Sequence, residues 1–256
     1  MTRKSLFAIF LLVSGLMVGC NKPEIQPHSS SGKNDKQYVT MSDTLTPGEK
    51  HNAIVEEYYS IYGIDTTTDT VDFNTIKTIV TRTAEMFLYN AGEDLDDLNT
   101  MVDNEMAEFW DIGMFNTDST VVPVDSFKVK LALSLSNGGV RTAWLSILNY
   151  NGANFNDHYN YAETTLSALT GLTAEEIKVN DGSLSVLGSS YVLFSGMTNE
   201  TKAHIIADAD VLGFAAGWET ASNSWWGEIN PAAVWSYAHY FSAKCSVMAA
   251  RMVSNM

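Results

Sequence analysis

Two stretches decide the fold: NETKAHIIADADVLGFAAGWETAS at residues 199–222 and NPAAVWSYAHYFSAKCSVMAARMVS at residues 230–254. Asn230-Pro231 is a strong start signal, because proline at the first helical position gives up only an amide that the helix would leave unpaired. In the first stretch Gly213, Gly217 and Ala221 recur every four residues, and in the second Ser242, Ser246, Ala250 and Ser254 do the same. Small side chains at that spacing line one helix face and let two backbones approach closely. The expectation is two helices joined by a Trp-rich connection and packed as a close hairpin. Glu219, His239 and Lys244 interrupt both segments, so neither reads as a lipid-spanning helix.

Working back from the hairpin, helical signals continue to dominate. Thr46-Pro47-Gly48-Glu49 is a capping box with proline at the first helical position, followed by Ile54, Tyr58, Ile61 and Tyr62. Asp72 is placed to cap a second helix carrying Phe73, Ile76, Val80, Thr83 and Phe87, which Asn90-Ala91-Gly92 would end. A third carries Leu95, Leu98, Val102, Met106, Phe109 and Gly113 in one stripe. Residues 126–136 fit two patterns. Phe127, Val129, Leu131, Leu133 and Leu135 alternate like a half-buried strand, with Asn137-Gly138-Gly139 as a turn; Phe127, Leu131 and Leu135 also share a helix face. No convincing third strand exists, and an isolated hairpin is marginal in water, so helix is the better reading. Thr173-Ala174-Glu175-Glu176 is a second capping box, and residues 183–195 look buried. The expected class is all-α: an irregular multi-helix bundle over residues 43–256 ending in the close-packed hairpin.

Composition narrows the function. The chain has 256 residues, 45% of them apolar, with 15 Lys plus Arg against 30 Asp plus Glu for a formal charge of −15. That apolar content is enough for a sizeable core and too high for a disordered chain. The acidity argues against a nucleic-acid partner, where affinity rests on neutralising phosphates. Residues 93–111 hold eight carboxylates and no basic residue. Asp94, Asp96 and Glu105 match three positions of a calcium loop, but Leu98 and Asn99 stand where a ligand and a glycine are needed, so a solvated acidic helix face is expected. His204 and Asp208 lie one helical turn apart, with Asp210 nearby; His158 has Asp157 beside it and Glu163 five residues on. Neither group is complete within its segment, and a zinc site needs three or four converging ligands. His239 reads as a satisfied core histidine and Cys245 as a small buried hydrophobe. No catalytic nucleophile, metal set or cofactor motif is identified.

The chain begins as an exported protein would. Arg3 and Lys4 precede an apolar stretch over residues 6–18, whose 13 residues fall short of the roughly 20 a spanning helix needs. Met17-Val18-Gly19-Cys20 resembles a bacterial lipobox, with Met17 where that pattern prefers leucine. The resemblance implies that residues 1–19 are a lipoprotein signal peptide and that Cys20 becomes the first residue, its thiol bearing diacylglycerol and its amine acylated. Several acyl chains hold a protein on a bilayer durably, at about 0.8 kcal/mol per buried methylene. Asn21 rather than aspartate follows, which by the sorting rule of Gram-negative lipoproteins implies the outer membrane. Loss of Arg3 and Lys4 leaves 13 basic and 30 acidic residues, a charge of −17, so the body should stand off anionic headgroups. Residues 20–42 are Pro-, Ser-, Lys- and Asn-rich and are expected to be a flexible tether. Cys245 is then the single remaining thiol, which leaves no intrachain disulfide.

Two further resemblances concern the surface. Trp218, Trp225, Trp226, Trp235, Tyr237, Tyr240 and Phe241 crowd the terminal hairpin, and Trp218, Trp225 and Trp226 are the candidates for facing a ligand. Together with the glycine spacing they loosely resemble the glycine-zipper peptides of membrane-active bacteriocins. Asp43-Thr44-Leu45, Asp65-Thr66-Thr67, Asp69-Thr70-Val71 and Asp118-Ser119-Thr120 resemble the acceptor of a bacterial O-glycosylation system, with Thr44, Thr66, Thr70 and Ser119 as acceptors. The leading expectation is a non-enzymatic binding or structural module, membrane-bound through its lipid, with an envelope protein or glycan as partner. A membrane-active, bacteriocin-like protein and a cryptic hydrolase are the alternatives. Metabolic labelling with a tagged fatty acid should mark the wild-type chain and leave Cys20→Ser unmarked and unprocessed; equal labelling of both would contradict the lipobox reading.

Overall fold

The computed structural model describes residues 44–64, 71–91, 95–223 and 231–254. The expected signal peptide (residues 1–19), the expected tether (residues 20–42) and Cys20 lie outside the described residues. The order of elements is α1 (Pro47–Tyr62), α2 (Phe73–Ala91), a single 3-10 turn (Leu95–Asp97), α3 (Leu98–Asp111), α4 (Val124–Ser134), α5 (Gly138–Leu148), α6 (Phe155–Ser167), α7 (Ala174–Ser195), α8 (Glu200–Ser222) and α9 (Pro231–Val253). Among the described residues β pairing is confined to two isolated bridges, Asp72 with Thr120 and Phe115 with Val121. The fold is all-α, as the hydrophobic spacing predicted.

Local signals start the helices where they were read. Both capping boxes form: the Thr46 hydroxyl accepts from the Glu49 amide and the Thr173 hydroxyl from the Glu176 amide. Asp72 Oδ1 accepts from the Thr75 amide at 2.8 Å at the start of α2. Residues 126–136 are settled by burial: Phe127, Leu131 and Leu135 are buried, while Val129 and Leu133 point to solvent at 38% and 50% exposure. A strand would have put all five on one side; the helix separates them. The Asn137-Gly138-Gly139 turn is instead a helix start, with the Asn137 side chain accepting from the amides of Gly139 and Val140. Asn154 caps α6 by accepting from the Asp157 amide. Leu95 departs from the predicted stripe, lying exposed in the 3-10 turn before α3.

The hairpin α8–α9 is the centre of the bundle. Every residue from 206 to 217 is buried, and so is every residue from 238 to 249. A helix buried on all sides is enclosed by neighbours rather than lying on a surface. Here α1, α2, α4 and α7 pack around the pair. No helix among the described residues is long and apolar enough to cross a membrane.

The glycines explain how closely the pair meets. A Cβ on Gly213 would lie 2.7 Å from Cys245 Sγ and 3.2 Å from Ser242 Cα. One on Gly217 would lie 2.5 Å from Phe241 Cβ and 3.3 Å from Ala238 Cα. At Gly217 both obstacles belong to α9 itself and cannot swing away. Gly217→Ala should therefore lower stability by about 1–3 kcal/mol through overpacking, although alanine is the better helix former. Gly138→Ala, where the nearest atom is an arginine nitrogen at 3.9 Å, should stay within about 0.5 kcal/mol of wild type. Denaturant unfolding of the two variants checks the pair.

Candidate functional site

At one end of the hairpin the start of α8 meets the end of α9, and the end of α1 and the start of α2 close round them. Between them lies a groove of about 670 Å³. Its lining includes the buried Tyr58, Ile79, Phe194 and Val247, the exposed Met197, and the cations Arg82, Lys202 and Arg251. Of the chain's four arginines, Arg3 lies outside the described residues, and this groove gathers two of the remaining three. Among the described residues Asp72 is the single acidic residue lining it, and its Oδ1 is engaged by the Thr75 amide and hydroxyl.

Packing holds these cations in place. The Arg82 guanidinium lies 4.7 Å from the centre of the Tyr62 ring and donates to the Tyr58 hydroxyl at 3.4 Å. Lys202 Nζ donates to the Ser254 carbonyl at 3.3 Å, tying the start of α8 to the end of α9. The Asn199 side chain caps α8 by accepting from the Lys202 amide, so the positive end of that helix dipole points the same way.

Away from the groove the hairpin buries polar groups in three sets. In the first, Lys244 of α9 pairs with Glu105 of α3, and the Tyr237 hydroxyl donates to Glu105 at 3.1 Å. Glu105 was expected on a solvated acidic face; it is 4% exposed, because α3 turns it inward to meet a lysine that would otherwise be a lone buried charge. In the second, His51 Nε2 lies 2.9 Å from Ser246 Oγ and 3.4 Å from Asp210 Oδ2, while Ser190 donates to Asp210. His51 Nδ1 contacts Asn52 Oδ1 at 3.0 Å. This Asn–His–Ser succession has the order of a hydrolase relay, but His51, Ser246 and Asp210 are wholly buried. Burial drives the His51 pKa down to about 4 against a weaker opposing effect of Asn52, and raises Asp210 well above the usual carboxyl range despite its serine partners. His51 is therefore neutral at pH 7.

The third set joins the two incomplete groups seen in the sequence. His158 of α6 and His204 and Asp208 of α8 converge, with ligand atoms all within 4.8 Å of one another. His158 Nε2 lies 2.9 Å and His204 Nε2 4.0 Å from Asp208 Oδ1, and Lys128 of α4 donates to Asp208 Oδ2 at 3.2 Å. Burial alone would raise the Asp208 pKa; Lys128 and the two histidines outweigh it and hold the carboxyl below its ordinary value. Asp210, two residues on, faces the second set instead.

The predicted site residues scatter. Trp218 is half-buried and packed against the core, about 24 Å along α8 from Lys202 at 1.5 Å per residue. Thr44 is exposed just before α1. Ser119 is exposed at a tight turn with φ of 65°, where Asp118 Oδ1 accepts from the Thr120 amide and hydroxyl. Trp225, Trp226, Thr66 and Thr70 lie outside the described residues. Cys245 is buried, as expected, and forms no disulfide among the described residues. His239 is buried as expected, but its Nδ1 has no hydrogen-bond partner, and burial lowers its pKa to about 3. Sequence reasoning missed the groove, because its cations are 120 and 49 residues apart along the chain. No protein-family model matches the chain, and neither a curated protein nor a solved structure matches it.

The buried histidines set the acid response. His51 and His239 remain neutral in the fold down to about pH 4 and 3, while in the unfolded chain they take up protons near pH 6.5. Their stabilisation is full above pH 6.5 and is lost as pH falls, by roughly 3 kcal/mol for His51 at 1.36 kcal/mol per unit. Asp210 has the opposite sign, since it keeps its proton above pH 3.8 when the unfolded chain has released its own. Burial likewise lowers His204 and raises Glu108, so three histidines stand against two carboxyls and leave a net loss between pH 6.5 and 4. The melting temperature should fall across that range, and His239→Leu should make the fall shallower; a flat or rising profile would contradict these assignments.

Proposed function

We propose that this chain is a lipid-anchored protein of the bacterial cell envelope, on the outer membrane, that binds a ligand without chemically changing it. The ligand class follows from the groove. A volume of about 670 Å³ suits a small molecule, for which pockets of roughly 300–1,000 Å³ are usual. Apolar side chains and Arg82, Lys202 and Arg251 lining one groove fit an amphipathic anion: an acyl or aromatic body carrying a carboxylate or phosphate head.

The observation that carries this reading is the placement of three cations round one apolar groove in a chain of charge −15. Scattered over the surface, those cations would each sit among acidic neighbours and stabilise little. Gathered here, they stand beside a lining whose one acid among the described residues, Asp72, is already hydrogen-bonded to Thr75. A binding role is also in keeping with the full burial of the His51–Ser246 pair, the nearest likeness to a catalytic relay among the described residues. The lipobox at Cys20 supplies the anchor, and the tether gives the domain reach from the membrane.

Calorimetric titration of the signal-free domain with a medium-chain fatty acid, its neutral alcohol and a sugar phosphate tests the ligand class. The fatty acid or the sugar phosphate should bind, and the alcohol should bind at least tenfold more weakly. Arg82→Gln with Lys202→Gln should abolish the difference, while Lys178→Gln on α7 should not. Equal binding of acid and alcohol, or none of any, would overturn the proposal.

A further inference from the structure

We propose that His158, His204 and Asp208 form a binding site for one borderline transition-metal ion such as Zn²⁺, independent of the groove. Two imidazoles and a carboxylate from two helices make a three-donor set, which leaves the remaining coordination positions to water or another ligand.

The geometry needs little adjustment. Around an ion with bonds of about 2.0–2.2 Å, donor atoms stand roughly 3–3.6 Å apart. His158 Nε2 and Asp208 Oδ1 are already 2.9 Å apart, and His204 Nε2 must close on Oδ1 by less than 1 Å. That nitrogen is buried and has no hydrogen-bond partner. A buried polar atom left unpartnered costs free energy that a bound ion would recover. The ring that bears it is fixed by edge contact with Phe155 and with His158, and the His204 side chain is 32% exposed, which gives an ion a route from solvent.

Lys128 decides which ion fits. It holds Asp208 Oδ2 and leaves Oδ1 for the metal, orienting the carboxylate as an outer partner does. It also places a positive charge beside the incoming cation. Asp125, 3.3 Å from Lys128 Nζ, is largely exposed and offsets that charge weakly. A site with one carboxylate already neutralised disfavours Ca²⁺ and Mg²⁺, which require several oxygen ligands. Ions that bond strongly to imidazole remain.

The test is titration of the untagged full-length chain, purified in detergent and freed of metal, with Co²⁺ and then Zn²⁺. One equivalent of Co²⁺ should develop saturable visible absorption, Zn²⁺ should displace it and raise the melting temperature, and Mg²⁺ should do neither. His204→Ala should weaken Co²⁺ binding at least tenfold, and His204→Gln, which keeps the side chain's bulk, should do the same with an unchanged circular dichroism spectrum. Absence of one-equivalent saturation, or equal binding by wild type and either His204 variant, would overturn the site. Neither result bears on anion binding in the groove.

Discussion

The contact between α8 and α9 at Gly213 and Gly217 is the constraint on which the rest of the structure depends. Without side chains there, Cys245, Phe241 and the backbone of Ser242 and Ala238 fill the space that a Cβ would need. Dispersion between surfaces so close is summed over many atoms, and it is lost steeply when a gap opens. The seam also sets the ends of the hairpin, and so the groove between the start of α8 and the end of α9. Moving α9 by one turn would shift Arg251 and Ser254 by about 5.4 Å and part Ser254 from Lys202.

Burying the pair has an electrostatic consequence. Two helices enclosed on all sides cannot send their polar residues to water, and α8 and α9 carry Asp208, Asp210, His239, Ser242, Lys244 and Ser246 into the interior. Most are answered from an outer helix: Lys128 and His158 for Asp208, His51 and Ser190 for Asp210, Glu105 for Lys244. Buried pairs add little net stability against an apolar alternative, but a displaced partner leaves a bare charge that costs several kcal/mol. Each pair is thus satisfied in one arrangement of the bundle, and together they tie α1, α3, α4, α6 and α7 to the hairpin. His158 and His204 belong to this layer, at the place where it reaches solvent.

Much of the fold was legible in the sequence, because its signals are local. Capping boxes at Thr46 and Thr173 and the small-residue spacing of the hairpin depend on residues within a turn or two of one another. The ambiguity at residues 126–136 was a matter of period, and it yields once Val129 and Leu133 are seen facing water while Leu131 is buried. Helices α5 and α6 were passed over because Asn137 and Asn154 open them with glycines close by, a composition that reads equally well as a turn. The sites were harder. His204 and Asp208 stood out one turn apart, yet the third donor sits 46 residues earlier on another helix. Glu105 was misplaced on a solvated face because its lysine partner lies 139 residues away. Such pairings depend on how helices pack, which spacing within one segment does not encode.

Native-state hydrogen exchange measured residue by residue tests the central position of the hairpin most directly. Amides of residues 206–217 and 238–249 should exchange slowest of all, through global unfolding alone, with protection falling toward α3, α5 and α6. Exchange of the hairpin amides at or before the rate of those outer helices would contradict a structure organised around the α8–α9 seam.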